Sequence, residues 1–168
     1  MDIIKDKQQL RAKVEPIANI SESELICVMK MLEEAYTERS GCQLVHAKQV
    51  GYPYDLALIK TGRETRAFVT GLEMLERNGS YTSSEGSYSL IGRYHVKRSK
   101  TITLNYTELS VVDGKLKKEN HFSAKIENQN FARVLQHCYD MNFGRLICDV
   151  GKLHTIKDKA KQGKFEEW

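Results

Sequence analysis

Ile102, Leu104 and Tyr106 alternate with Thr101, Thr103 and Asn105. A period of two held over six residues is the mark of a strand with one buried face. A few residues later, Asp113-Gly114 separates the run Leu109–Val112 from Lys115–Lys117. Such a pair between extended runs closes a two-residue hairpin, whose turn needs positive φ at both positions. The middle of the chain is therefore committed to antiparallel sheet. Tyr54–Lys60 reads as a further strand and Ala67–Val69 as a short one, while the polar stretch Ser80–Gly86 reads as a loop. Glu73–Arg77 favours helix by propensity alone, and Arg145–Val150 is read as briefly extended.

Two segments carry helical periodicity. The first runs from about Glu22 to Arg39: Ser21 followed three residues on by Glu24 has the spacing of a capping box, and Leu25, Met29, Leu32 and Tyr36 form one apolar stripe. Gly41 follows its end, and the chain is expected to be extended from Gln43 to Gln49. The second begins near Asn128, places Phe131, Val134, Leu135 and Cys138 on one face, and ends about Asn142 before Gly144. Sheet layers around a buried central helix give an α+β architecture.

The 168 residues, 29% charged and 40% hydrophobic, suit a single domain over 1–168. No run of apolar residues approaches a membrane span, and Met1–Lys7 lacks the apolar core of a signal peptide, so a cytoplasmic protein without a membrane role is expected. Cys27, Cys42, Cys138 and Cys148 are widely spaced and form no CxxC pair, which argues for reduced thiols. A net charge of +4 is too mild for a dedicated nucleic-acid site. Residues 155–168, with Lys157, Lys159, Lys161 and Lys164, are expected to form a basic terminal helix or tail.

Chemical potential concentrates on the second helix, in the run QHCYDMNFG, with Gln136, His137, Cys138, Asp140 and Met141. Positions 137 and 141 are four apart and project from one face, where two imidazoles would bind a metal well. Here the second is a methionine. This run, within ARVLQHCYDMNFGRLICD, resembles the third signature of the peptide deformylases, Q-H-E-x-D-H-L-x-G. SEGSYSL over 84–90 is similar to that family's second signature, E-G-C-L-S. CQLVHAKQVG over 42–51 resembles its first, G-x-G-L-A-A-x-Q, and LRAKVEPI over 10–17 its N-terminal arm. Order and spacing agree across nearly the whole chain.

The resemblance implies a peptide-deformylase-like fold, with antiparallel or mixed sheets packed around the motif-bearing helix. It also implies an ancestral activity, removal of the formyl group from N-terminal formylmethionine, by a ferrous or similar divalent ion. In the family that ion is held by the Cys of the second signature and both His of the third, with the intervening Glu as general acid/base. Carried over, the ligand positions are Ser87, His137 and Met141, and the glutamate position is Cys138. Only His137 is kept. A hydroxyl and a thioether are poor partners for such an ion, so no cofactor is expected. Gln49 matches the family's oxyanion donor, and the backbone N–H of Tyr88 falls where the second donor would be. Glu85, Gly86 and Ser89 also match. Gln136, Asp140 and Gly144 match too, and for Asp140 and Gly144 packing or capping of the helix is the favoured explanation.

The first signature is altered as well, with Cys42 and Leu44 in place of glycines and His46 in place of an alanine. The resemblance places peptide binding along Gln43, Leu44, His46, Gln49, Glu85, Gly86 and Tyr88. His46 is either an ordinary hydrogen-bonded histidine or a new imidazole beside His137 and Cys138. Cys138 is either a buried small hydrophobe or a thiol nucleophile. Arg98 resembles a retained family arginine, an ion-pair or loop anchor. The function expected is a deformylase homologue with a dismantled metal site, a binding pseudoenzyme for peptide N-termini or a protein partner. The alternatives are a weak metal-dependent deformylase and a metal-free thiol hydrolase using Cys138. The basic tail and the family's work on nascent chains suggest a ribosome as a further partner.

Overall fold

The computed structural model describes residues 1–154. The expected basic helix or tail over 155–168 lies outside them. An N-terminal arm carries the single turn α1 (Lys7–Leu10), started by the Asp6 carboxylate accepting from the Gln8 N–H at 2.8 Å. The long helix α2 (Glu22–Thr37) begins as its sequence predicts, with Ser21 Oγ accepting from the Glu24 N–H at 3.3 Å. It ends two residues before the expected Arg39, and its buried stripe is Leu25, Val28, Met29, Leu32 and Ala35. Strand β1 (Leu44–His46) follows; the expected extension to Gln49 is instead cut short by a 3-10 turn, Ala47–Val50, which ends at Gly51 with φ +98°.

Five more strands follow: β2 (Ala57–Lys60), β3 (Arg66–Asn78), β4 (Tyr81–Gly86), β5 (Arg93–Arg98) and β6 (Thr101–Val112). After the Asp113-Gly114 turn comes β7 (Lys115–Ile126). Both turn residues have positive φ, 52° and 72°, as the two-residue hairpin requires. The chain closes with α3 (Gln129–Asn142), the turn α4 (Ile147–Val150) and β8 (Gly151–Leu153). One sheet has the order β1-β2-β3-β6-β7 and the other β4-β5-β8.

Helix α3 lies against one face of the five-stranded sheet, where Val134, Leu135, Cys138 and Met141 meet Ala57, Ile59, Ile102, Leu104 and Tyr106. Helix α2 covers the other face of β1 and β2, through Leu25, Met29 and Leu32 against Val45, Leu56 and Leu58. Successive residues of a strand point to opposite faces, so β2 is buried on both sides and reads as a continuous apolar run.

Three local expectations are corrected. Glu73–Arg77 is strand, because β3 pairs there with β6, Met74 opposite Leu104 and Arg77 opposite Ile102; tertiary pairing overrides a weak helical preference. Ser80–Gly86 is mostly β4, whose inward side chains, Ser83 and Glu85, are polar and so leave no apolar alternation to read. Arg145–Val150 contains the turn α4, in which the Asp149 carboxylate accepts from the Leu146 N–H at 3.0 Å.

Candidate functional site

A buried ionic group joins the three-stranded sheet to α3. Arg98, on β5, donates from Nε and Nη2 to the two carboxylate oxygens of Glu85 on β4, both at 2.8 Å, and from Nη1 to Asp140 on α3 at 2.5 Å. Asp140 also accepts from Arg145 at 3.1 Å, and Ser83 donates to Glu85 at 2.7 Å. Burial alone would raise the Glu85 pKa, but the bonds and charge of Arg98 outweigh it and hold the carboxyl at about 2. Gln136 donates to the Ser99 carbonyl and accepts from the Ser99 N–H, both at 2.9 Å, tying the middle of α3 to the β5–β6 turn.

Above this group opens a cleft of about 810 Å3. Its walls include Gln43 and Leu44 of β1, Gln49 of the 3-10 turn, β4 with the Ser87-Tyr88 turn, and the first turns of α3. Ser87, His137 and Met141 all line it, as do Gly86 and Tyr88. His137 Nδ1 lies 3.6 Å from Glu85 Oε1, yet burial lowers the imidazole to about 4, so the ring is neutral at pH 7. Gln49 donates from Nε2 to Ser89 Oγ at 3.0 Å and reaches Ser87 Oγ at 3.5 Å, while its Oε1 accepts from the His46 N–H at 2.9 Å. The Ser87 hydroxyl also accepts from the Ser89 N–H at 3.2 Å.

A divalent ion of the implied kind would meet a neutral hydroxyl, a neutral imidazole and a thioether at these positions. The hydroxyl is already engaged by Ser89 and Gln49, and the thioether is a soft donor suited to copper(I). Among the described residues, no group of three or more His, Cys, Asp and Glu side chains could hold a metal ion. The residues present do not fit the ion.

Three predicted site residues stand away from the cleft. His46 is fully buried; its Nε2 bonds Asn142 Oδ1 at 2.7 Å and its Nδ1 accepts from the Lys48 N–H at 3.1 Å. Burial lowers its pKa to about 3. It is thus a buried, hydrogen-bonded histidine on the α3 side of β1, outside the cleft lining. Glu85 is committed to Arg98 beneath the cleft floor. Cys138 is 1% exposed, packs in the sheet–helix core, and burial pushes its thiol strongly upward, away from thiolate.

Sequence reasoning missed the network beside His46. Lys48 donates from Nζ to the carbonyls of Leu10 and Ala12, each at 2.8 Å, and to that of Met141 near the end of α3. Asn142 donates to Asp55 at 3.0 Å, and Asp55 accepts from the Gly71 N–H at 2.9 Å. A lysine inside the apolar run LVHAKQV was the available signal. Arg93 and Arg133, both on the cleft wall, were also missed.

The sequence pattern described as polypeptide deformylase matches residues 2–157. Peptide deformylase 1 of Clostridium perfringens is 32% identical over 147 residues, spanning 86% of this chain and 92% of that protein. Two solved structures share the fold. A peptide deformylase from Legionella pneumophila superposes with a TM-score of 0.72 at 20% identity, covering 95% of this chain and 89% of its own. That of Thermotoga maritima gives 0.67 at 24%, covering 89% and 95%. With α3, β4 and the 3-10 turn converging on one cleft, and with matched residues running from the N-terminal arm past β8, the chain belongs to the peptide deformylase family.

Proposed function

We propose that this family member is a binding pseudoenzyme, which takes peptide N-termini into the cleft and does not deformylate them. The observation that carries the reading is the company His137 keeps: an open cleft, but with Ser87 and Met141 beside it and Cys138 buried behind it. Deformylation needs a group that activates water at neutral pH. A positioned general base is worth about 10²–10⁴ in rate, and a catalytic metal brings the pKa of its bound water down from 15.7 to about 7. Neither a carboxylate nor an anionic ligand stands at the matching positions to supply these effects. Gln49, the donor matching the family's oxyanion group, already spends its amide on Ser89 and Ser87. A thiol hydrolase through Cys138 is disfavoured by that side chain's burial.

The test is to incubate the purified protein with Fe2+, Ni2+ or Zn2+ without oxygen, measure retained metal, and assay release of formate from formyl-Met-Ala-Ser. C-terminally labelled tetrapeptides beginning with Met and varied at the later positions are titrated in parallel. The expected result is far less than one metal per chain, no formate above the buffer rate, and saturable binding of at least some peptides below about 1 mM. Near-stoichiometric metal with turnover restores the weak-deformylase reading. Absence of binding by every peptide ends the binding reading.

A further inference from the structure

Tyr88 ties two walls of the cleft together. It sits in the turn after β4, where the Leu90 N–H donates to the Ser87 carbonyl at 3.2 Å, and its hydroxyl reaches across to donate to the Ser40 carbonyl at 2.9 Å. Ser40 and Gly41, between α2 and β1, line the cleft as Ser87 and Tyr88 do, so the ring and its bond occupy space between the walls. The family's second signature carries leucine at this position, which has no hydroxyl to make such a tie. Arg39 lies over the ring, its guanidinium carbon 5.6 Å from the centroid. A second hollow, of about 420 Å3, is bounded by Asp2, Ile3 and Lys5 of the N-terminal arm together with Arg39 and Tyr88 itself. The ring is therefore a partition with space on both sides. Turning it into the second hollow clears the cleft and breaks one hydrogen bond of an exposed residue, whose partners water can satisfy.

Resting on the reading that the cleft takes peptides, we propose that Tyr88 is a gate on that site: bonded to Ser40 it bars the passage between the Ser40-Gly41 and Ser87-Tyr88 segments, and turned toward the N-terminal arm it opens it. A site that is competent in only a fraction of molecules binds more weakly by that fraction, so loosening the bar raises the apparent affinity. The net worth of one neutral hydrogen bond corresponds to about a two- to tenfold change in the open population. Cys42 supplies a readout that needs no peptide. Its thiol is 6% exposed and lies within hydrogen-bonding reach of the Tyr88 hydroxyl, so a ring that turns away uncovers it.

The experiment compares the full chain with Tyr88→Phe, which keeps the ring and deletes the tie. Both are treated with excess N-ethylmaleimide, and the alkylation rate of each cysteine is followed by peptide mapping. Cys27, which is exposed, reports the reagent, and Cys138, 1% exposed in the sheet–helix core, reports loosening of the whole fold. Tyr88→Phe is expected to speed alkylation of Cys42 by about two- to tenfold with Cys27 and Cys138 unchanged. In stopped-flow mixing with the labelled Met-initiated tetrapeptides, the variant should raise kon by the same factor and leave koff as it was, because the ring is already turned aside in the complex. An unchanged Cys42 rate, or a rise matched at Cys138, overturns the gate. So does a faster koff at unchanged kon, which would make the tyrosine a contact that closes over the peptide. Faster Cys42 alkylation with no binding by any tetrapeptide supports the moving ring and ends the peptide reading instead.

Discussion

Arg98 is 4% exposed, and the two carboxylates it joins, Glu85 and Asp140, come from different elements. Removing such a cation leaves buried charges without compensation, which costs about 3–5 kcal/mol even where the pair as a whole is nearly neutral to stability. Arg98→Met should therefore lower the urea-unfolding free energy by about that amount. A loss under 1 kcal/mol would mean that Glu85 and Asp140 reach other partners. The anchor role of Arg98 was legible in its sequence context. The isolation of His46 was not, because its partner Asn142 lies 96 residues away and only the fold makes them neighbours.

At the scale of elements, α3 depends on how its end meets the N-terminal arm. Gly144 has φ +74°, and a Cβ there would lie 2.1 Å from the Arg11 carbonyl oxygen. Gly144→Ala combines left-handed strain with a backbone collision that no side-chain rotation relieves. We expect a loss of about 2–3 kcal/mol, read as a lowered thermal midpoint, with an unshifted midpoint showing that the arm moves freely aside. The sequence placed a glycine after the helix, and the reason for it, close approach of another backbone, came only from the structure. Both long helices and the hairpin were legible because their apolar period or turn chemistry is local. Strand β4 was not, because its buried side is held by ionic and hydroxyl groups.

Across the whole molecule, burial makes the protein acid-labile. His46 and His137 are held at about 3 and about 4 in the folded state, below their ordinary value of 6.5, and Glu85 at about 2 against 4.5. In each case the unfolded chain binds the proton more readily, so stability rises with pH. It is complete above about pH 6.5 and is lost as pH falls toward 3. Near pH 5, with both histidines protonated only when unfolded, the slope reaches about 2.7 kcal/mol per pH unit. Urea midpoints at pH 7.5, 6.0 and 5.0 should fall steadily, and His46→Gln should flatten the trend. A constant midpoint would show that these rings are hydrated in the folded protein.

The amino-acid order alone determined the antiparallel middle, the two main helices and the substitution of Ser87, Cys138 and Met141 around His137, since each rests on short-range periodicity or a local motif. The tertiary structure decided which side chains share a space. It withdrew His46, Glu85 and Cys138 from the cleft and brought Arg93 and Arg133 onto its wall. Side-chain direction and burial are set by the packing of α3 against the sheet, and desolvation then sets charge, so neither can be read from spacing along the chain.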